Sequence, residues 1–364
     1  MVEWKKLVSV ANVLYGYPFE SSLFSEDSNY MPLIRIRDVK PAKASTYYSG
    51  EIREEYRIKK GDILVGMDGE FNLGRWDDRD GLLNQRVLKI SGKNGCSIDG
   101  YLFHYMGPVF KKIEKETAGG SVKHLSAKVI NNILVPIPSL SEQQRIVSIL
   151  DTFTSSISNL KQQIEERRKQ YEYERDLLLD LEGKEGVEMK VEDFCVLKAG
   201  KNIKADDISE ENIESHYPCF GGNGIRGFVS FYSHDGQYPI IGRQGALCGC
   251  VAWATGKFYA TEHAVVVTGK NMVCQRFLLH LFQYANLNQY KSQGAQPGLS
   301  VAKLNEIKFF IPPLSTQSRI VSILDTFEQS ISNLEEQLAM REKQYEYYRN
   351  QLLTFEGEEE RGKT

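Results

Sequence analysis

IPSLSEQQRIVSILDTFTSSISNLKQQIEERRKQYEYERDLLLDLEG (residues 137–183) and IPPLSTQSRIVSILDTFEQSISNLEEQLAMREKQYEYYRNQLLTFEG (residues 311–357) align without a gap, identical at 31 of 47 positions and 174 residues apart. A repeat this long in a chain of 364 residues divides the whole protein into two halves, each a variable stretch followed by a near-constant one. Within the constant stretch the apolar residues fall alternately four and three apart, the spacing of a coiled-coil seam. The first copy places Ile146, Leu150, Phe153, Ile157, Leu160 and Ile164 on that seam, and the second places Ile320, Leu324, Phe327, Ile331, Leu334 and Leu338 there. Prolines at 136 and 138, and at 312 and 313, mark where each helix starts, with Ser141 or Ser315 as the expected N-cap; Gly183 and Gly357 mark the stops.

Two matching seams in one chain can bury each other. Antiparallel pairing lets one compact domain bridge the end of the first helix and the start of the second, and it brings the other domain beside the end of the second helix. The expected architecture is α+β: a head over 1–136, a helix over 137–183, a second head over 184–310, a helix over 311–357 and a tail over 358–364. The helices form an intramolecular antiparallel coiled coil with pseudo-two-fold symmetry, a dumbbell with the chain termini close together. Heptads alone also allow pairing between two chains.

Composition fits a folded protein: 41% hydrophobic, 26% charged, with 19 Tyr and 17 Phe. No apolar run approaches the roughly 18 residues of a membrane span, and the first residues do not read as a secretory leader, so a cytoplasmic location without a membrane is expected. The net charge of −3 divides unevenly, +4 over the two heads and −7 over the helical stretches, which leaves room for a phosphate-facing patch on each head. The six cysteines, one in the first half and five in the second, do not read as a disulfide framework and are expected to be buried free thiols.

The heads share their closing route: Leu125-Ser126, Asn131 and Ile133 in the first, Leu299-Ser300, Asn305 and Ile307 in the second. Short strand-like runs with turn signals, such as Gly61-Asp-Ile-Leu-Val-Gly66 and His263-Ala-Val-Val-Val267, predict mixed α/β heads. With Gly16-Tyr-Pro-Phe19, Leu33-Ile-Arg35 and Leu83-Asn-Gln-Arg-Val87 in the first head, and Gly222-Asn-Gly-Ile-Arg-Gly227, Ile241-Gly-Arg-Gln-Gly245 and Thr261-Glu-His-Ala264 in the second, the chain resembles the specificity subunits of type I restriction-modification enzymes. The resemblance covers essentially the whole chain. It implies two target-recognition domains reading the two halves of a split site in double-stranded DNA, with a gap set by the coiled coil. It also implies recruitment of methyltransferase subunits and of restriction/translocase subunits, and places S-adenosylmethionine, ATP and magnesium on those partners, with no cofactor here. At Gln244 the family pattern favours an acid.

Arginine forks suit guanine and phosphate, and Asn and Gln suit adenine edges. The DNA-binding candidates are therefore Arg35, Arg37, Asn84, Gln85, Arg86 and Lys123 in the first head, and Asn223, Arg226, Arg243, Gln244 and His263 in the second. The loops 118–123 and 293–298 are candidates for backbone contacts. No catalytic or metal-binding residue is expected, because the six histidines show no metal spacing. Two apparent nucleotide motifs lack their context. The phosphate-loop pattern over 357–364 follows a coiled coil and ends the chain, and Phe220-Gly-Gly-Asn-Gly224 runs into a strand pattern instead of a helix. The competing readings are a stand-alone DNA-binding regulator that dimerises through the coil and, further off, a self-contained DNA methyltransferase.

Overall fold

The computed structural model describes residues 2–116, 123–181, 185–245, 247–292 and 297–355. The stops at Gly183 and Gly357, the phosphate-loop pattern and most of the two candidate loops lie outside them. Among the described residues, four helices have ten or more residues: α1 (Asp99–Glu116), α2 (Leu140–Leu179), α3 (Gln275–Tyr284) and α4 (Leu314–Leu353). Contacts divide the chain into two compact units, residues 1–159 with 338–364 and residues 160–337.

In the first unit the chain enters on a strand, Glu3–Lys6, that pairs antiparallel with the exit strand Leu134–Ile137. Between them lies a four-stranded sheet in the order Ala11–Tyr15, Val87–Gly92, Ile63–Gly66, Leu73–Arg75. The run Ile63-Leu-Val-Gly66 is buried throughout, because α1 covers one side and the five-stranded sheet that includes Met31–Ile34 and Gly81–Leu83 continues the core. Tyr101, Leu102, Met106 and Phe110 of α1 enter one apolar cluster with Ile146 and Leu150 of α2 and Leu353 of α4. Phe153 stacks on Tyr348 at 5.2 Å, so within this unit the start of α2 runs antiparallel to the end of α4.

The second unit repeats the plan. The strands Val187–Lys190 and Lys308–Ile311 pair as entry and exit, around a six-stranded sheet in which Cys195–Ala199, Ala264–Gly269 and His234–Gly242 are neighbours. Phe277, Leu278, Leu281 and Phe282 of α3 share a cluster with Leu179 of α2 and with Ile320 and Leu324 of α4. Arg168 pairs with Glu335 and Tyr171 with Glu328, again antiparallel. The partner helices are therefore supplied by the same chain.

Ile146, Leu150, Ile164, Ile320 and Leu324 are buried, whereas Phe153, Ile157, Leu160, Phe327, Ile331, Leu334 and Leu338 are half-buried. A seam of two helices leaves its flanks open; Ile146, Leu150, Ile320 and Leu324 are buried where they join the apolar clusters of the heads. Ser141 and Ser315 are not the caps, because the helices start one residue earlier. The Ser139 hydroxyl accepts the Glu142 N–H at 3.3 Å, and Pro313 occupies that place in the second copy. All six cysteines are free, but Cys250 is exposed and Cys96 and Cys274 are half-buried, so only three are buried thiols.

Candidate nucleic-acid interface

The two heads place three turns together at one end of the sheet, and backbone hydrogen bonds identify them as the same three. In the first head Met67 N–H donates to the Arg86 carbonyl and Leu125 N–H to the Met67 carbonyl. In the second, Arg243 N–H donates to the His263 carbonyl and Leu299 N–H to the Arg243 carbonyl. The correspondence pairs Asn84-Gln85-Arg86 with Thr261-Glu262-His263 and Asp68 with Gln244. The acid that the pattern favours at Gln244 thus stands in the other head.

A fourth segment meets these turns where the first long strand ends. Gly16 and Gly200 have no side chain there because a Cβ would lie 2.0 Å from the Asn84 carbonyl oxygen and 2.1 Å from that of Ala260. The residues that follow, Tyr17 and Lys201, hydrogen-bond through their backbone N–H groups to Leu83 and Ala260. Tyr17 carries the Arg53 guanidinium over its ring at 4.2 Å.

In the first head, the strands Met31–Ile34 and Gly81–Leu83 run parallel and deliver Arg35 and Asn84 to the same end. Asn84 is buried (6% exposed), while Gln85 and Arg86 beside it are exposed. Arg86 takes φ +71°, costly for a residue with a Cβ, and its guanidinium lies 3.3 Å from His124 Nδ1 and 3.5 Å from Asp68. Lys123 pairs with Glu114 at 3.2 Å. Arg37 is exposed and donates to the Ser45 and Thr46 hydroxyls of its own head, and Arg35 lies over Phe24. The exposed cluster is thus Gln85, Arg86, His124 and Asp68, with Tyr17 and Arg53 alongside.

In the second head, Asn223, Arg226 and Gln244 line one open cleft of about 480 Å³ with Leu247 and Ile225. Phe220-Gly-Gly-Asn-Gly224 is the turn of a hairpin between Tyr217–Gly221 and Gly224–Val229, which is not the strand-to-helix turn that holds a dinucleotide. Arg243 is half-buried at the base of the same turn, and His263 contacts Glu262 at 3.1 Å. A cleft of about 870 Å³ in the first unit, lined by Lys43, Lys60, Asp77 and Ser158, lies at the opposite end of the Ile63–Gly66/Leu73–Arg75 hairpin from these turns.

A family model described as type I restriction modification DNA specificity domain matches residues 1–167 and again 184–340. The chain belongs to that family. It is similar to the EcoprrI type I restriction enzyme specificity subunit of Escherichia coli, 34% identical over 92% of this chain and 90% of that one. The EcoBI specificity subunit of Escherichia coli is 40% identical over a shorter stretch, 43% of this chain and 33% of that one. The fold is that of the S subunit of the type I restriction-modification system of M. genitalium, with a TM-score of 0.71, 16% identity and coverage of 98% and 96% of the two chains. A chain from a study of complex assembly and conformational transition in a type I system has a TM-score of 0.55 at 17% identity, covering 97% and 96%. This chain therefore groups with the specificity subunits of such systems and not with their catalytic ones.

Sequence reading missed one feature of this specificity subunit. His104 of α1 and His280 of α3 are both buried and both reach an aspartate of the repeated helix, His104 Nε2 to Asp151 at 2.7 Å and His280 Nε2 to Asp325 at 2.9 Å. Burial pushes both imidazoles below the usual histidine value, against the pull of the aspartates. Burial alone would raise the Asp151 carboxyl, but hydrogen bonds from His104 and Arg75 outweigh it and hold the group below the usual value. The signal was present, since Ser148-Ile-Leu-Asp-Thr-Phe153 recurs unchanged at 322–327 with a carboxylate beside the seam. Among the described residues, His280, Asp325 and Glu328 have donor atoms close enough for a metal ion. The Arg276 guanidinium already bridges both carboxylates and offsets one of their two charges.

Proposed function

We propose that this chain reads a split site in double-stranded DNA, one half-site with each head, at a gap set by the paired helices. The supporting observation is that heads sharing three hydrogen-bonded turns present unlike residues on them: Gln85, Arg86, Asp68 and His124 in one, Glu262, His263 and Gln244 in the other, where a neighbouring hairpin adds Asn223 and Arg226. The shared backbone holds the turns while the side chains differ, as two half-sites of unlike sequence require. Methyltransferase subunits and, for cleavage, restriction/translocase subunits are the partners; S-adenosylmethionine, ATP and magnesium act on those subunits, and the assembly works in the cytoplasm. Among the described residues no helix is long and apolar enough to cross a membrane.

Mapping methylated bases across a genome, with and without this chain beside its methyltransferase, tests the reading. One two-part motif with a fixed gap that vanishes without the chain is the expected result. An unchanged methylation pattern, or a single uninterrupted motif, would refute it.

A further inference from the structure

The buried histidines join more than two groups. In the first unit His104 Nδ1 lies 3.1 Å from the Tyr345 hydroxyl of α4, and Asp151 also binds Arg75, at 3.1 Å and 3.3 Å. The protonation states give this chain one direction. Asp151 is held ionised and accepts, so His104 Nε2 carries the proton; His104 is held neutral, so Nδ1 accepts; burial raises the Tyr345 hydroxyl, which keeps its proton and donates. The second unit repeats the residues, His280, Asp325, Arg276 and Tyr171, the last 174 residues before Tyr345, but without the tyrosine-to-imidazole bond: His280 Nδ1 lies 3.8 Å from Glu328. There Glu328, where the first copy has Thr154, takes the tyrosine hydroxyl at 3.3 Å and an Arg276 N–H.

The origin of the arginines carries the argument. Arg75 ends a strand and stacks on Phe103 at 4.5 Å, whereas Arg276 opens α3 and stacks on Trp253 at 5.0 Å. Two heads that have diverged nearly everywhere else deliver a guanidinium from different elements to the same carboxylate. The first set ties its head to both long helices of its unit; in the second, His280 and Arg276 tie the head to α4, and Tyr171 of α2 joins that helix through Glu328. A hydrogen-bonded network fixes angle and register in a way that apolar packing, which tolerates sliding, does not.

We propose that these two sets are positioning residues: they fix each head on its helices and so decide which gap lengths the subunit accepts. The proposal rests on the reading of a split site given above. Its test uses the chain assembled with its methyltransferase on DNA carrying both half-sites at gaps from two base pairs shorter to two longer than the native one. The variants His104→Phe with His280→Phe keep volume and remove the bonds; Tyr345→Phe removes one hydroxyl; His104→Gln with His280→Gln keeps a donor toward each aspartate.

The phenylalanine variants should keep both half-site sequences while the preference for the native gap over its neighbours falls at least tenfold. The glutamine variants should restore most of it, and Tyr345→Phe should give a smaller loss. Folded phenylalanine or Tyr345→Phe variants with wild-type gap preference would overturn the proposal. If the phenylalanine variants do not fold, Tyr345→Phe decides alone. Nitrogen-15 spectra of the labelled chain give a readout independent of DNA: at pH 7 His104 should be the neutral form with its proton on Nε2, and a cationic ring or an Nδ1 proton would equally sink the network. Absence of any split-site methylation by the wild-type assembly would instead refute the function, and the spectra would still report on the network.

Discussion

Arg86 holds a left-handed backbone conformation in the turn that follows Gly81–Leu83, a strain of about 1 kcal/mol that glycine escapes. Replacing it with alanine should weaken binding to the first half-site by about 1–3 kcal/mol and leave recognition of the second unchanged. Replacing it with glycine should weaken binding alike while raising stability by up to about 1 kcal/mol. Competition binding with each half-site mutated in turn, beside denaturant unfolding, checks both halves; equal losses at the two half-sites would remove Arg86 from base reading. The buried histidines set a pH dependence. Their proton affinity is lowered in the fold, so their contribution is complete above the unfolded histidine value of about 6.5 and is lost as pH falls below it. Asp151, also lowered, loses its contribution only in the carboxylate range, at more acid pH. The denaturant midpoint should drop between pH 7 and 5.5, and by less in the variant with glutamine at 104 and 280. An identical drop in that variant would assign the effect to other groups.

At the scale of elements, each long helix is locked to its head by one buried glutamine. Gln143 accepts the Ile98 N–H at 3.1 Å and donates to the Cys96 and Pro138 carbonyls at 2.9 Å and 3.0 Å. Gln317 repeats all three bonds with Cys274, Met272 and Pro312. Both side chains are fully buried, and both amides are satisfied by backbone groups that have left regular structure. Gln143→Leu keeps the size and orphans those peptide groups, for an expected loss of about 3 kcal/mol. Thermal unfolding of the variant would show it, and a loss under 1 kcal/mol would mean that water replaces the amide. The glutamine recurs in both copies of the repeat, three residues before the first seam residue. Only the loops brought up by the heads bury them.

For the whole molecule, the reading that the helices set the gap has a direct test. One heptad added to both helices at matching depth keeps the seam in phase and lengthens each helix by about 10 Å, or roughly 3 base pairs. The expected result is a longer gap or lost modification, with both half-site sequences unchanged. Undiminished methylation at the original spacing, by a folded variant, would show that the helices are not the ruler. Both ends of the chain pack on one core in the first unit, Trp4 and Phe355 against the cluster of Leu7, Ile146 and Leu353. Joining residue 357 to residue 1 and opening the chain near Glu185 should therefore leave a subunit that still recruits its methyltransferase, assayed by copurification. An insoluble product would argue against cyclic equivalence of the halves.

The sequence alone determined the duplication, the two long helices with their seam and the α+β character of the heads, because heptad spacing and repeated segments are local properties that survive without coordinates. It also pointed to Gln85 and Arg86, and to Asn223, Arg226 and Gln244, the last three beside glycines. The tertiary structure decided what depends on distant segments meeting. It buried Asn84 under its own turn, bonded the exposed Arg37 to the Ser45 and Thr46 hydroxyls, paired Asp68 with Gln244 as equivalent positions, and joined His104 to Asp151 and His280 to Asp325 across 47 and 45 residues. No spacing rule reports such meetings, since a buried polar group is specified by the partner that the fold brings to it.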